Sequence, residues 1–272
     1  MQRIDLGIAR MAHLVWETEL EEMALKKRPA VHLQTHEECE LGLWLNGEAF
    51  QSMQHYGSVR QLIAAHQQFH QTAFQLLFQL DHGSPELVSR ELQRVQTLSR
   101  DIVFHITEVE LDYLEHKPLS QFASHPFKSL IYRLFHVAEE TAPENHGILE
   151  VSHARLMHLR WSRELLRAFH HWGREADLGS DRTCAVGIWI HGVGLATGQY
   201  PEMIQELDRI HQQFHAKAEE TVRLLRRKNI PGSENAYKEV VSLGREVLYL
   251  LTKIEVAFLK SENVTSPINL WN

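Results

Sequence analysis

His66-Gln67-Gln68-Phe69-His70 recurs letter for letter as His211-Gln212-Gln213-Phe214-His215, 145 residues further along the chain. The same offset, with no gap, carries His13 and Trp16 onto His158 and Trp161, Thr35 onto Ser180, and Cys39 onto Cys184. It also carries Gly42 and Trp44 onto Gly187 and Trp189, Val95, Leu98 and Arg100 onto Val240, Leu243 and Arg245, and Thr107, Glu110 and Leu114 onto Thr252, Glu255 and Leu259. A period of 145 is far longer than a solenoid repeat, so a whole domain has been written twice, and each copy can bury its own core.

Within a copy the apolar spacing is helical throughout. Residues 4–27 place Ile4, Ile8, Met11, Leu14 and Val15 on one face and stop at Pro29. A short helix containing the cysteine is expected after Thr35, whose spacing to Glu38 is that of a capping box, with Ser180 supplying the hydroxyl in the second copy. A third helix, 58–82, carries the histidine pair; a fourth opens at Ser84-Pro85 and ends before Pro118. No stretch alternates with a period of two. The expected fold is all-α: two tandem antiparallel four-helix bundles, each with a short extra helix carrying the cysteine, in an arrangement that allows an intramolecular pseudo-dimer.

Composition narrows what such bundles do. The 272 residues are 43% apolar and 23% charged, enough for real cores. A formal net charge of -7 gives no general attraction to nucleic acid or to an anionic membrane. No segment approaches the roughly 18 to 20 apolar residues of a membrane span, and the reading is of a soluble, cytoplasmic chain. Two cysteines do not make a disulfide scaffold, which leaves metal or redox chemistry as the use of sulfur. The unusual number is 19 histidines.

That chemistry falls on His13, Cys39, His66 and His70, separated by 26, 27 and 4, and on His158, Cys184, His211 and His215 with identical separations. Histidines at i and i+4 share one helix face, so both imidazoles of a pair reach one ion. Three imidazoles and a thiolate form a four-coordinate set suited to tetrahedral zinc, with no open position for a substrate. The expectation is two zinc ions, one per copy, and no enzyme. Chance alone gives about 1.3 His-x-x-x-His pairs in such a chain, so a single pair means little. A third pair, His32 and His36, meets Asp177 and Asp181 at the offset and is read as that chance pair. The duplicated sets differ, because similarity concentrates in the candidate ligands and their neighbours.

Those neighbours have simpler readings. Gly42 and Gly187 cost helix stability, so close approach of another helix or a local bend is expected there. Trp16, Trp44, Trp161 and Trp189 are read as core anchors. Arg223, Arg226, Arg227 and Lys228 complement a helix dipole, and His170 and His171 are read as surface residues.

The pattern His13-x-x-Trp16, Cys39-x-Leu41-Gly42-x-Trp44, His66-x-x-x-His70 resembles the signature of the chemoreceptor zinc-binding (CZB) domain of bacterial signalling proteins. The second copy, with His158-x-x-Trp161, Cys184-x-Val186-Gly187-x-Trp189 and His211-x-x-x-His215, resembles it equally, valine replacing leucine at one position. The resemblance implies a helical bundle holding zinc through three histidines and a cysteine, in signal transduction such as chemotaxis. It also implies a cysteine that moves on and off the metal as zinc or oxidant changes, and pairing of domains as dimers. Relatives carry an output module, a chemoreceptor signalling region or a diguanylate cyclase. This sequence has no such segment, so the signal is expected to leave through a separate partner of that kind.

The resulting layout is a first CZB-like domain at 1–118, a linker with an amphipathic helix at 119–146, a second CZB-like domain at 147–262 and a tail at 263–272. The function expected is a sensor of zinc or oxidant, acting within one chain or as a homodimer, with an adaptor held by structural zinc as the alternative. A di-iron bundle would need carboxylate ligands repeated at the offset, and no such set occurs.

Overall fold

The structure, a computed structural model, describes residues 6–25, 33–47, 53–116, 146–170 and 179–261. Among these every regular element is helical. The first half forms α1 (Leu6–Ala24), α2 (Glu40–Leu45), α3 (Gly57–His82) and α4 (Pro85–His116). The second forms α5 (His146–His170), α6 (Ala185–Trp189), α7 (Pro201–Arg226) and α8 (Ile230–Ser261), with α6 running on into a π-helical turn, Ile190–Gly194. The chain divides into two compact units between Tyr113 and Leu114. The helix expected within 119–146, the tail after Ser261, and His32 and His171 lie outside the described residues.

Local chemistry sets these boundaries. α3 and α4 meet across Gly83-Ser84; the Ser84 hydroxyl accepts the Leu87 N–H at 3.4 Å, and Pro85 opens α4 where its missing N–H costs nothing. α7 also begins on a proline and is joined to α8 by three residues, so the two pack as an antiparallel hairpin. Arg223 and Arg226 occupy the last turn of α7, where cations suit the helix dipole.

The short helices depart from expectation. Cys39 does not lie inside α2 but stands immediately before it as the N-cap, in extended backbone (φ -68, ψ 157), with Sγ accepting the Gly42 N–H at 3.3 Å. Cys184 caps α6 in the same way from Gly187. The Thr35–Glu38 pair does form, the Thr35 N–H and hydroxyl both donating to the Glu38 carboxylate, but it closes the turn ahead of the helix. Sulfur outcompetes the hydroxyl as cap because Cys39 is the residue at which extended backbone gives way to helix.

The first unit has one core shared by α1, α2, α3 and α4, with Leu20, Trp44, Leu62, Phe69, Ala73 and Val95 among its buried members. In the second, Leu165, Phe214, Ala218 and Val240 form a cluster with Trp161 against it. These four are the offset mates of Leu20, Phe69, Ala73 and Val95, so the repeat preserves packing as well as spacing.

One polar pair is repeated inside the cores. Arg10 Nη1 lies 2.9 Å from Glu110 Oε2, and Arg155 Nη1 lies 2.6 Å from Glu255 Oε2. Arg10 is 1% exposed and Arg155 0%. Ser152 adds a hydroxyl, donating to Glu255 at 2.7 Å. Each arginine precedes a candidate donor histidine on its helix by three residues, so the pair fixes the face of α1 or α5 that carries His13 or His158. Glu255→Ala leaves a guanidinium without its charge partner and is expected to lower stability by about 3–5 kcal/mol, whereas Arg155→Met with Glu255→Leu recovers most of that loss. Denaturant unfolding of the full chain measures both; equal losses from the single and double variants would contradict the pairing.

Candidate metal centres

Each unit brings its four sequence-matched residues together from three elements. α3 supplies His66 and His70 one turn apart, their ring centroids 4.7 Å from each other. α1 supplies His13, whose ring lies 5.4 Å from His66 and 6.3 Å from His70. The cap of α2 supplies Cys39, with Sγ 3.1 Å from His66 Nε2. In the second unit the His211 and His215 rings are again 4.7 Å apart, Cys184 Sγ is 3.1 Å from His211 Nε2, and the His158 ring is 5.9 Å from His211.

The two groups converge unequally. Ligand atoms of His13, His66 and His70 fall within 4.8 Å of one another, with Cys39 joined through His66. In the second unit the tight group is Cys184, His211 and His215, and His158 is not part of it. Donors on one tetrahedral zinc lie about 3.4 Å apart, so either set closes on an ion with a small contraction.

The surroundings suit a cation. His13, His66, His70, His158 and His211 are buried. The buried His13 Nδ1, His158 Nε2, His211 Nδ1 and His215 Nε2 have no hydrogen-bond partner, a costly arrangement unless another acceptor of the lone pair is present. His70 Nδ1 faces the Gln34 carbonyl at 3.0 Å, which orients the ring and leaves Nε2 for a ligand. Burial, and then the neighbouring imidazoles, hold His66 down to about 3 and His70 to about 4, and depress His13 and His158 well below the ordinary range. Burial pushes the Cys39 thiol up to about 11 against the pull of the Gly42 N–H, and raises Cys184 as well. Neutral imidazoles, and a thiol that would lose its proton to solvent when a cation binds the sulfur, are the donor set of zinc, and the two groups fit two zinc ions.

Aromatic residues wall the donors. The Phe69 ring is 4.6 Å from His13, and Phe214 is 4.3 Å from His158. Trp16 and Trp161 flank His70 and His215 at 5.5 and 5.0 Å. Trp16, Trp44 and Trp189 are buried core anchors, whereas Trp161 is partly exposed.

Of the two readings of Gly42 and Gly187, the structure shows the local bend: each makes room for the turn just before its own helix, where a Cβ would collide with the carbonyl oxygen of His36 or Asp181. His36 is not one of the tight group of His13, His66 and His70 but lies near it. Its ring lies 6.5 Å from His66 and 6.4 Å from His70. At the same repeat position, the Asp181 carboxylate acts on Cys184, His211 and His215. The signal that would have found this position is the glycine three residues past each cysteine, which requires the chain to fold back there.

Without metal, these groups make stability depend on pH at both ends. The folded imidazoles bind protons less readily than unfolded ones, so stability falls as pH drops from 6.5 towards 3; the Cys39 thiol holds its proton more tightly when folded, so stability falls again as pH rises from 9 towards 11. Urea midpoints of the metal-stripped chain are expected to peak between those limits and to fall on either side, and a midpoint still rising below pH 6 would contradict the burial.

No curated protein and no solved structure matches the chain. The second unit's donors lie outside the one stretch that a family model recognises. That stretch, residues 13–77, holds all four donors of the first unit and matches the chemoreceptor zinc-binding domain, a zinc-binding signalling family called CZB.

Proposed function

We propose that this chain is a tandem zinc-binding signalling protein of the cytoplasm, whose units hold one zinc each through His13, Cys39, His66 and His70 and through His158, Cys184, His211 and His215. It reports to a separate signalling protein, such as a chemoreceptor or a cyclase, and carries out no catalysis. The observation that carries the reading is the double occurrence of three imidazoles and a thiol packed together among buried, unpartnered ring nitrogens. Zinc bound there would supply the positive charge that keeps the sulfur a thiolate and ties α1, α2 and α3, or α5, α6 and α7, together.

The cysteine suits a trigger because Sγ has two roles. It faces an imidazole at 3.1 Å and accepts the Gly42 N–H in the first turn of the short helix. An oxidant that converts the thiolate to sulfenic acid, as hypochlorous acid does with release of chloride, alters both interactions at once. Loss of an N-cap costs about 1 kcal/mol, which is large for a helix of six residues. That helix carries Leu43, 62% exposed, and its counterpart carries Ile188, also 62% exposed. The same position of both units thus holds an exposed apolar side chain. None of the described helices is long and apolar enough to cross a membrane.

Dialysed full-length protein is expected to retain two zinc ions per chain by elemental analysis, one for each donor group, with His66→Ala and His211→Ala each losing one. Absence of zinc from the unaltered chain would overturn the reading. Chelation distinguishes a switch from a scaffold: a sensor keeps its helical circular dichroism and shifts backbone NMR resonances around Cys39 and Cys184, whereas complete loss of helix would mean that zinc only supports the fold.

A further inference from the structure

The agreement between the units breaks at the mouth of the donor group. Around His13, Cys39 and His70 the free space is about 20 Å³, little more than one water. Around the equivalent His158, Cys184 and His215 a cavity of about 280 Å³ opens. A cavity of about 150 Å³ holds benzene, so the second is large enough for a solute of several heavy atoms.

The two mouths differ in their lining residues. Glu40, the first residue after Cys39, lines the first mouth; its counterpart in the second is Ala185. Leu41 becomes Val186, and both changes remove side-chain atoms beside the sulfur. The remaining walls of the larger cavity include Met157 and Trp161, with Arg160 and Glu164 as its charged members. His158, 4% exposed, contributes to the lining and has its buried Nε2 unpartnered. Cys184 is partly exposed, whereas Cys39 is buried.

We infer that the cavity of the second unit admits a small, uncharged electrophile or peroxide to Cys184, while the closed first unit shields Cys39. The two units thereby divide their work, the first holding its metal undisturbed and the second reacting. With a peroxide, the thiolate forms an S–O bond as the O–O bond breaks; sulfur is oxidised to sulfenic acid and hydroxide leaves. With an alkyl iodide, an S–C bond forms and iodide leaves. The inference builds on the reading that each cysteine is a metal-site thiol, but the cavity itself does not require the ion.

Iodoacetamide is the probe, applied to the full chain with and without zinc, with modification at each cysteine followed by peptide mass spectrometry. In the folded, metal-stripped chain Cys184 is expected to react at least about tenfold faster than Cys39, a gap that closes in denaturant. Ala185→Glu slows Cys184 and leaves Cys39 unchanged, and Glu40→Ala, an exposed position, speeds Cys39. Equal rates in the folded chain, or no response of Cys39 to Glu40→Ala, overturn the division of work even if zinc protects both thiols. Unequal rates that zinc does not alter would uphold the cavity and overturn the metal reading.

Discussion

Everything in each unit answers to one constraint: three imidazoles and a thiol must be brought together among largely buried side chains. Burial there disfavours the positive charge of the histidines and the negative charge of the cysteine, and several ring nitrogens have no hydrogen-bond partner. Helices can carry such donors into a core only if each is fixed before it arrives. The i, i+4 spacing fixes two of them on one helix, and the buried arginine–glutamate pair fixes the face that presents the third. The fourth comes from an element too short to hold itself.

That element solves its problem by folding the chain back on itself. The turn at residues 35–38 presents its carbonyl against a glycine, and the glycine's N–H in turn reaches the sulfur. Any side chain at Gly42 or Gly187 would push the turn away and loosen the cap together with the donor. A helix of six residues gains little from its own hydrogen bonds, so its position depends on Leu41, Trp44 and Leu45 being buried and on the sulfur at its start. The cysteine therefore joins local structure to the metal group in a single atom.

Much of this was legible from repetition. Long helices declare themselves through periodic apolar residues, and their ends through Ser84-Pro85 and Pro118, because those signals act within a few residues. The common offset picks out four candidate donors in each unit, and the structure brings His13, His66 and His70 together in one and Cys184, His211 and His215 in the other. The placement of Cys39 as cap and not helix interior did not, because Thr35 and Glu38 offer a hydroxyl and a carboxylate at the spacing a cap uses, and only the backbone at 39 settles which residue takes the role. The Arg10–Glu110 contact spans 100 residues and escaped local reading, although Arg155 stands at the matching position. The difference between His36 and Asp181 hid for the opposite reason: a search for identity passes over positions where the copies diverge, although both approach the donors.

Divergence is what a duplicated chain permits and a symmetric dimer does not. Two identical subunits related by a twofold axis share every substitution, so a residue that opens one centre opens the other. Glu40 and Ala185 belong to one polypeptide but to separate codons, and each can be selected without its counterpart. Fusing the halves keeps them at a fixed one-to-one ratio while freeing them from equivalence, so that one sequence can contain a sheltered reference beside a responsive neighbour.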